Sequence, residues 1–247
     1  MSDLAKVRTL GRRCDMVVAV SEAAARDSIC RGFPRKKVRV IPNGSVLDRF
    51  RHPSTSRAAV RSQLGIDPDA VVVLSFCWTP ERKGADLLVA ATDGLREDSS
   101  PRPVVLVITG EARTRAYLEA MVGTPPPPWL RLTRPFEDVA DLFAASDVFV
   151  STAREDAFSY AIGEAMACGL PVVSSDIPGP AHYFPAEGVV TFPTQDVGSL
   201  RLALRNVIRS ETRSHLGEAN RRFVSERLSV ERYVDRVLGA YGELLER

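Results

Sequence analysis

The sequence predicts an α/β fold built on a doubly wound, Rossmann-like parallel sheet. From Val71 onward, short apolar runs rich in β-branched residues alternate with longer segments of helical periodicity. The runs are apolar at successive positions, a pattern typical of parallel strands that helices cover on both faces. With 247 residues, 45% of them apolar, the chain is long enough to form such a core.

The elements are expected in a regular order along the chain. Strands are predicted at Val71–Phe76, Val104–Ile108, Leu130–Leu132, Val148–Val150, Pro171–Ser174 and Val189–Phe192. Helices are predicted at Lys83–Leu95, Arg113–Met121, Val139–Ala145, Tyr160–Cys168, Val197–Arg209, Glu211–Arg227 and Val230–Leu245. Ser229 is the expected N-cap of the last helix, and Pro125–Pro128 is expected to be an extended surface loop.

The N-terminal segment shows a separate βαβ pattern. Met16–Val20 and Val38–Ile41 are predicted strands on either side of a helix at Glu22–Cys30, and Pro42-Asn43-Gly44 is a turn signal. A single unit of this kind cannot cover both faces of its own sheet. It therefore either joins the main sheet or belongs to a second domain.

Composition argues against several classes of protein. No apolar run approaches the roughly 18 residues of a membrane-spanning helix, and the start of the chain lacks the apolar stretch of a signal peptide. We therefore expect a cytoplasmic protein. The four cysteines are scattered without a C-x-x-C pair, which argues against a zinc site and a disulfide framework. They are expected to be small core residues.

Charge is unevenly distributed along the chain. Residues 1–51 contain twelve Lys and Arg against five Asp and Glu, although the formal net charge of the whole chain is only +2. This basic segment is either a solvated surface or a patch that meets an anionic membrane or acceptor. No interleaved aromatics there suggest stacking on bases, so a nucleic-acid partner is not expected.

Four sequence segments carry recognisable motifs, namely Arg82–Leu88, Phe158–Val173, Asp15–Ser21 and Lys37–Gly44. Together they resemble segments of the retaining glycosyltransferases of the GT-B fold, family-four type. Arg82–Leu88 is similar to the family's R-K-G-x-D-x-L, and Phe158–Val173 to its long and specific F-G-x-x-x-x-E-A-M-A-x-G-x-P-V-V. Asp15–Ser21 and Lys37–Gly44 resemble the segment by which these enzymes leave their first domain and enter their second. The resemblance covers nearly the whole chain.

This resemblance implies one half of a GT-B fold. Residues 1–44 would be the terminal βαβ part of an acceptor-binding domain with its linker, residues 45–228 the domain that binds a nucleotide-sugar donor, and residues 229–247 the closing helix. The implied reaction transfers a hexose from a nucleoside diphosphate sugar to an acceptor hydroxyl with retention. The reaction requires an acceptor-binding domain as partner, which is either a separate polypeptide or a part missing from this chain.

The implied mechanism is front-face displacement, which needs no protein nucleophile. Positioning and charge stabilisation carry the catalysis. No cofactor is expected beyond the donor substrate, and no metal, which agrees with the absence of a D-x-D motif.

The fold class indicates where a donor would bind. Ligands of open parallel sheets lie beyond the carboxyl ends of the strands, where helix N-termini direct N–H groups at anions. After Val150, a polar loop leads into a helix that starts near Phe158. The backbone amides of Ser159 and Tyr160 are therefore candidates for holding the phosphates.

Two carboxylates are expected at the donor. Asp156 and Glu164 have seven residues between them, as do the two signature glutamates of the resembled family, of which the first approaches the sugar and the second the ribose hydroxyls. A carboxylate can accept two hydrogen bonds from a vicinal diol, which suits Glu164. Asp156 replaces the first glutamate and Glu155 stands beside it, so the sequence leaves open which of the two faces the sugar.

Lys83 is the candidate for stabilising the charge of the departing diphosphate. The family usually adds an arginine several residues earlier, where this chain has Cys77 or Trp78. Arg82 replaces that arginine only if its side chain turns inward, and a solvated arginine is the alternative.

Gly110 and Glu111 follow a strand where the family places its base-binding loop. A glycine there permits close approach of a base, and a plain turn explains it equally well. His182 lies in a loop near the expected donor pocket, and we assign it no chemistry.

Two alternative functions remain open. The departures at Cys77 and Asp156 are also expected of an inactive nucleotide-sugar-binding module or a structural remnant. A nucleotide-sugar epimerase of the same fold is the other alternative, and the Glu164-Ala165-Met166-Ala167 motif argues against it.

Overall fold

A computed structural model describes residues 13–45, 47–97, 104–134, 138–184, 187–209 and 213–246, together with Thr9 and Gly11. The strands are β1 Val17–Ala19, β2 Val38–Val40, β3 Val71–Phe76, β4 Val104–Thr109, β5 Leu130–Thr133, β6 Val148–Ser151, β7 Val172–Ser175 and β8 Val189–Phe192. The α-helices are α1 Glu22–Cys30, α2 Asp48–Arg51, α3 Arg57–Gln63, α4 Ala85–Glu97, α5 Ala112–Val122, α6 Val139–Ala145, α7 Tyr160–Ala167, α8 Pro178–Ala181, α9 Val197–Arg209, α10 Arg213–Arg227 and α11 Val230–Leu245.

Strands β3 to β8 form one parallel sheet of six strands in the order β5-β4-β3-β6-β7-β8. The chain enters at β3, proceeds outward to β5, returns to β6 beside β3, and proceeds outward again to β8. The strand order therefore reverses between β3 and β6, which is where doubly wound sheets leave a crevice at their carboxyl ends. The predicted fold class is confirmed.

A hydrophobic core covers each face of this sheet. On one face, Val72, Leu74 and Phe149 belong to a buried cluster with residues of α3, α6 and α7. On the other face, Val73 and Leu106 belong to a second cluster with residues of α4, α5 and α9. Since successive strand residues point to opposite faces and both faces are buried, the strands are apolar at successive positions, with small buried polar residues such as Ser75, Thr109 and Ser174 near their carboxyl ends. This explains the uninterrupted apolar runs in the sequence.

The N-terminal βαβ unit forms its own small sheet. β1 and β2 pair in parallel, with Val17 opposite Val38, and they are not joined to the six-stranded sheet. After β2 the chain returns to the start of α11, where the amide of Ser45 donates to the carbonyl of Leu228. At the other end of α11, Glu243 forms a 2.8 Å ion pair with Arg39 of β2. The closing helix therefore contacts the N-terminal unit.

Most predicted elements match the observed ones to within one or two residues. The helix expected from Lys83 begins at Ala85, because Gly84 has a φ of 65°, outside the helical region. The helix expected from Glu211 is seen from Arg213, and its predicted first residues lie outside the described part. The short helices α2, α3 and α8 were not predicted. The last of these begins with Pro-Gly-Pro, which resembles a loop, although proline is well tolerated in a first helical turn.

The expectation that all four cysteines are core residues is wrong for one of them. Cys77 is buried and Cys14 and Cys168 are partly buried, but Cys30 is exposed. Cys30 is the last residue of α1, a helix in which only Ala25 is buried. Among the described helices, none has the length and apolar character needed to cross a membrane.

Candidate functional site

A cleft of about 580 Å³ opens at the carboxyl ends of β3 and β6. Its walls include most of the residues that the sequence assigned to a site, namely Arg82, Lys83, Asp156, Phe158, Ser159, Tyr160 and Glu164. Residues from two segments that are far apart in sequence, 82–83 and 156–164, thus meet at the topological switch point of the sheet.

The loop that follows β3 packs directly on the loop that follows β6, and we call this contact the seam, between residues 79–84 and 152–156. A Cβ atom on Gly84 would lie 2.2 Å from the carbonyl oxygen of Thr152, so no other residue fits there without a backbone shift. The Thr152 hydroxyl donates to the carbonyls of Lys83 and Gly84, each at 2.8 Å. The amide of Arg154 donates to the carbonyl of Arg82 at 2.8 Å.

An ion pair reinforces the seam. The guanidinium of Arg154 donates two hydrogen bonds to the carboxylate of Asp86, at 2.9 and 2.7 Å, in the first turn of α4. Burial alone would raise the pKa of Asp86, but the hydrogen bond and charge of Arg154 outweigh it and hold that pKa below its usual value. Two-point pairing of this kind fixes orientation as well as distance.

The seam places Lys83 against Asp156. Lys83 Nζ lies 2.6 Å from Asp156 Oδ2, and both side chains are less than one-fifth exposed, at 19% and 15%. Asp156 Oδ1 also accepts from the amides of Phe158 and Ser159, at 3.2 and 3.1 Å. Burial would raise the pKa of Asp156, but Lys83 and the two amides outweigh it and hold the pKa below its usual value. Asp156, and not the exposed Glu155, faces the cleft.

One of the two amides predicted to bind phosphate, that of Ser159, already donates to a side chain of this chain. Ser159 precedes α7 in the left-handed region, with a φ of 68°, and its side chain is buried. A residue other than glycine in this conformation carries a strain of about 1–2 kcal/mol. The strained turn directs the amide of Ser159 at Asp156, so a carboxylate of this chain already accepts one of the two hydrogen bonds that we assigned to a phosphate.

Glu164 lies in the second turn of α7 and faces the same cleft. Burial raises the pKa of its carboxyl, and the positive charge of Arg49 offsets this only in part. No described residue donates a hydrogen bond to this carboxylate. A desolvated acceptor without a protein donor is suited to a ligand that brings hydroxyl groups.

Gly110 and Glu111 do not line the cleft. They lie at a second cavity of about 100 Å³ near the carboxyl ends of β4 and β5. A Cβ atom on Gly110 would lie 2.5 Å from the hydroxyl oxygen of Thr114, whose hydroxyl donates to the carbonyl of Cys77. Packing against Thr114 therefore accounts for this glycine without a ligand.

Several cleft residues were not assigned to a site from the sequence, among them Trp78, Val20 and Asn43. Trp78 is 40% exposed in the wall beside Lys83, whereas Cys77 is fully buried. Val20 and Asn43 reach the cleft from the N-terminal unit. Alignment by spacing pointed to Cys77 or Trp78, but no local signal could have found the other two.

Arg82 and His182 lie on the periphery. Arg82 is exposed, and its guanidinium donates to the carbonyl of Glu155 at 3.3 Å, at the rim of the cleft. His182 is exposed and its Nδ1 lies 2.8 Å from the carbonyl of Pro178. Within the described part of the chain, no group of three or more His, Cys, Asp or Glu side chains is arranged to hold a metal ion.

Comparison with known proteins assigns most of the chain to glycosyltransferase families. Residues 67–210 match the family described as Glycosyl transferases group 1, and residues 3–49 match Glycosyltransferase Family 4. The chain is 31% identical over 240 residues to D-inositol 3-phosphate glycosyltransferase of Geodermatophilus obscurus, covering 92% of this chain and 52% of that protein. It is 30% identical over 173 residues to GDP-mannose-dependent alpha-mannosyltransferase of Mycobacterium tuberculosis, covering 70% and 42%. The chain thus spans about half the length of the curated relatives it matches.

Solved structures show the same fold. A glycosyltransferase from Rickettsia africae has a TM-score of 0.86 at 18% identity, covering 100% of this chain and 68% of that one. Anabaena Alr3699/HepE in complex with UDP-glucose has a TM-score of 0.86 at 20% identity, covering 97% and 67%.

The seam generates a prediction about Gly84. Replacing Gly84 or Gly65 by alanine should lower the free energy of unfolding by about 1–2 kcal/mol. The reason is that both residues are in the left-handed conformation, with φ angles of 65° and 61°. Gly84→Ala should lower the free energy of unfolding further, because a Cβ atom there collides with Thr152. A Cβ atom on Gly65 meets nothing within 4 Å, so Gly65→Ala should show no additional loss. Urea unfolding measures both free energies. Equal losses would show that the close approach of the two loops contributes nothing.

Proposed function

The chain belongs to the group 1 glycosyltransferases, and on that basis we propose that it is the donor-binding half of a retaining enzyme that transfers a hexose from a nucleoside diphosphate sugar. The observation that carries this proposal is the cleft in which Lys83, the N-terminus of α7 and Glu164 converge. HepE, a structural neighbour, was solved with UDP-glucose, and the mycobacterial relative is a GDP-mannose-dependent enzyme. Both names agree with a nucleotide-sugar donor.

The ribose and the diphosphate of the donor each have a partner of suitable chemistry in this cleft. The carboxylate of Glu164 accepts from the two ribose hydroxyls. Lys83 and the amides at the start of α7 bind the diphosphate. Asp156 lies beside these phosphate contacts, on the side where the sugar is attached. The base extends toward Gly110 and Glu111, and Arg82 contributes positive charge at the rim.

The proposed reaction retains the anomeric configuration. The bond between the sugar's C1 and the diphosphate oxygen breaks, and the acceptor oxygen bonds to C1 on the same face. The acceptor's proton passes to the departing phosphate oxygen, so no protein nucleophile is consumed. Lys83 stabilises the negative charge that grows on the diphosphate, an effect worth several kcal/mol in a site that excludes water. The proposal needs neither a metal nor another cofactor.

An acceptor domain is the proposed partner. The curated relatives are about twice as long as the matched part. Helix α11 exposes an apolar stripe at Val234, Leu238, Tyr241 and Leu245, with exposures of 44%, 62%, 62% and 88%. Val18 of β1 is 50% exposed. We propose that a domain supplying the acceptor pocket covers these surfaces, and that the basic segment 1–51 contacts an anionic membrane. The cytoplasmic location stays a prediction.

One observation favours the alternative of a nucleotide-sugar-binding module without transfer activity. Trp78 stands where the resembled family has an arginine, and Asp156 neutralises the charge of Lys83. The cleft therefore has little net positive charge to bind a diphosphate. Titration with UDP and GDP identifies a structural remnant, which would bind neither. An inactive binding module would bind the nucleotide but transfer no sugar when an acceptor domain is supplied.

Lys83→Ala should weaken binding of UDP or GDP about tenfold or more, because a hydrogen bond to a charged group is worth about 1.5–3 kcal/mol. Binding of the corresponding nucleoside should be unchanged. The exposed neighbour provides the control, since Arg82→Ala should have a much smaller effect. Isothermal titration measures both. Equal losses for nucleoside and diphosphate would refute the role of Lys83.

Glu164→Gln should weaken nucleotide binding by about 1–3 kcal/mol and make the protein more stable at neutral pH. Burial holds the folded-state pKa of Glu164 above its unfolded value, so its stabilising effect is present at low pH and is lost as pH rises through the folded pKa. The melting temperatures of variant and parent should therefore agree near pH 4 and diverge by pH 7, with the variant higher. A solvated glutamate would change neither property. Stronger loss of binding in Asp156→Asn than in Glu164→Gln would contradict the assignment.

The purified chain should self-associate and transfer no sugar unless an acceptor domain is supplied. The apolar stripe of α11 invites association, and without a positioned acceptor a rate advantage on the order of 7–11 kcal/mol in barrier is lost. Leu238→Gln with Tyr241→Gln should lower the association measured by analytical ultracentrifugation and leave nucleotide binding unchanged. Efficient transfer by the monomeric chain would contradict the proposal.

A further inference from the structure

Three groups of the cleft converge on one point, and we call them the anion seat: Nζ of Lys83 and the backbone amides of Phe158 and Ser159. In this structure the carboxylate of Asp156 fills the seat. One of its oxygens lies 2.6 Å from Lys83 Nζ, and the other accepts from the two amides at 3.2 and 3.1 Å. A cation and two amides are the donors that a phosphate oxygen also requires.

The identity of residue 156 explains why the seat is filled from within. Aspartate side chains readily accept from backbone amides two and three residues ahead, a turn that one additional methylene in glutamate disfavours. The left-handed conformation of Ser159 turns its amide toward residue 156. The backbone of this loop also has no room to retreat, since a Cβ atom on Gly179 would lie 2.3 Å from the carbonyl oxygen of Asp156.

We propose that Asp156 is an internal competitor for the donor's phosphate, a residue that sets donor affinity by occupying the anion seat until a diphosphate displaces it. This inference rests on the proposed function, because it takes the cleft to be a nucleotide-sugar site. While Asp156 occupies the anion seat, its charge neutralises Lys83. The diphosphate group therefore increases the nucleotide affinity of the parent protein by less than the three donors would allow if they were free. Glu155, the adjacent carboxylate, is exposed and takes no part.

Isothermal titration of the parent, Asp156→Asn and Glu155→Gln tests this, with UDP and GDP and their nucleosides as probes. Asp156→Asn keeps an oxygen that accepts from the two amides but frees Lys83, and it should bind the diphosphate about tenfold more tightly with unchanged nucleoside affinity. Glu155→Gln removes the same charge one residue away and should have little effect.

Each outcome decides between the alternatives. If the parent binds a diphosphate and Asp156→Asn binds it equally or more weakly, or if Glu155→Gln shows the same gain, the competition does not exist. If neither the parent nor Asp156→Asn binds, the proposed function fails as well. Lys83→Ala gives an independent check, because in that background Asp156→Asn should give no gain. Should Asp156→Asn lower the melting temperature, Asp156→Glu provides the second variant, since it keeps the charge and should still bind more tightly by leaving the amides free.

Discussion

The close approach of Gly84 to the carbonyl of Thr152 is the constraint on which the rest of the site depends. It brings two loops into contact that are far apart in sequence, one after β3 and one after β6. The ion pair between Arg154 and Asp86 holds them together with defined orientation. Because β3 and β6 are neighbours at the topological switch point, the joined loops lie over the crevice of the sheet.

From this contact the electrostatics of the cleft follow. Lys83 immediately precedes Gly84, so fixing the glycine fixes the lysine, and the lysine then meets Asp156. Asp156 in turn holds the strained turn at Ser159 from which α7 starts. Glu164 lies one turn further along the same helix, desolvated and without a donor from the described residues. Packing thus places a cation, helix amides and a carboxylate acceptor in one cleft, which is the chemistry a nucleotide diphosphate requires.

The sequence was sufficient for the fold and for most of the candidate residues that line the cleft, for reasons that the structure makes clear. Strands buried on both faces are apolar at most successive positions, and that pattern is visible without coordinates. Lys83 and Glu164 were found because they belong to long motifs. The features that could not be predicted from the sequence depend on contacts between distant segments. Three features depend on such contacts: the pairing of Asp156 with Lys83, the hydrogen bond from Thr114 to the carbonyl of Cys77, and the position of Asn43 in the wall of the cleft.

The central claim is that this cleft holds a nucleoside diphosphate through Lys83 and Glu164. A crystal structure of the chain soaked with UDP or GDP tests it most directly. We expect phosphate oxygens within hydrogen-bonding distance of Lys83 Nζ and ribose hydroxyls at the carboxylate of Glu164. The side chain of Asp156 should be displaced from the amides of Phe158 and Ser159. A nucleotide bound away from Lys83 and Glu164 would contradict it.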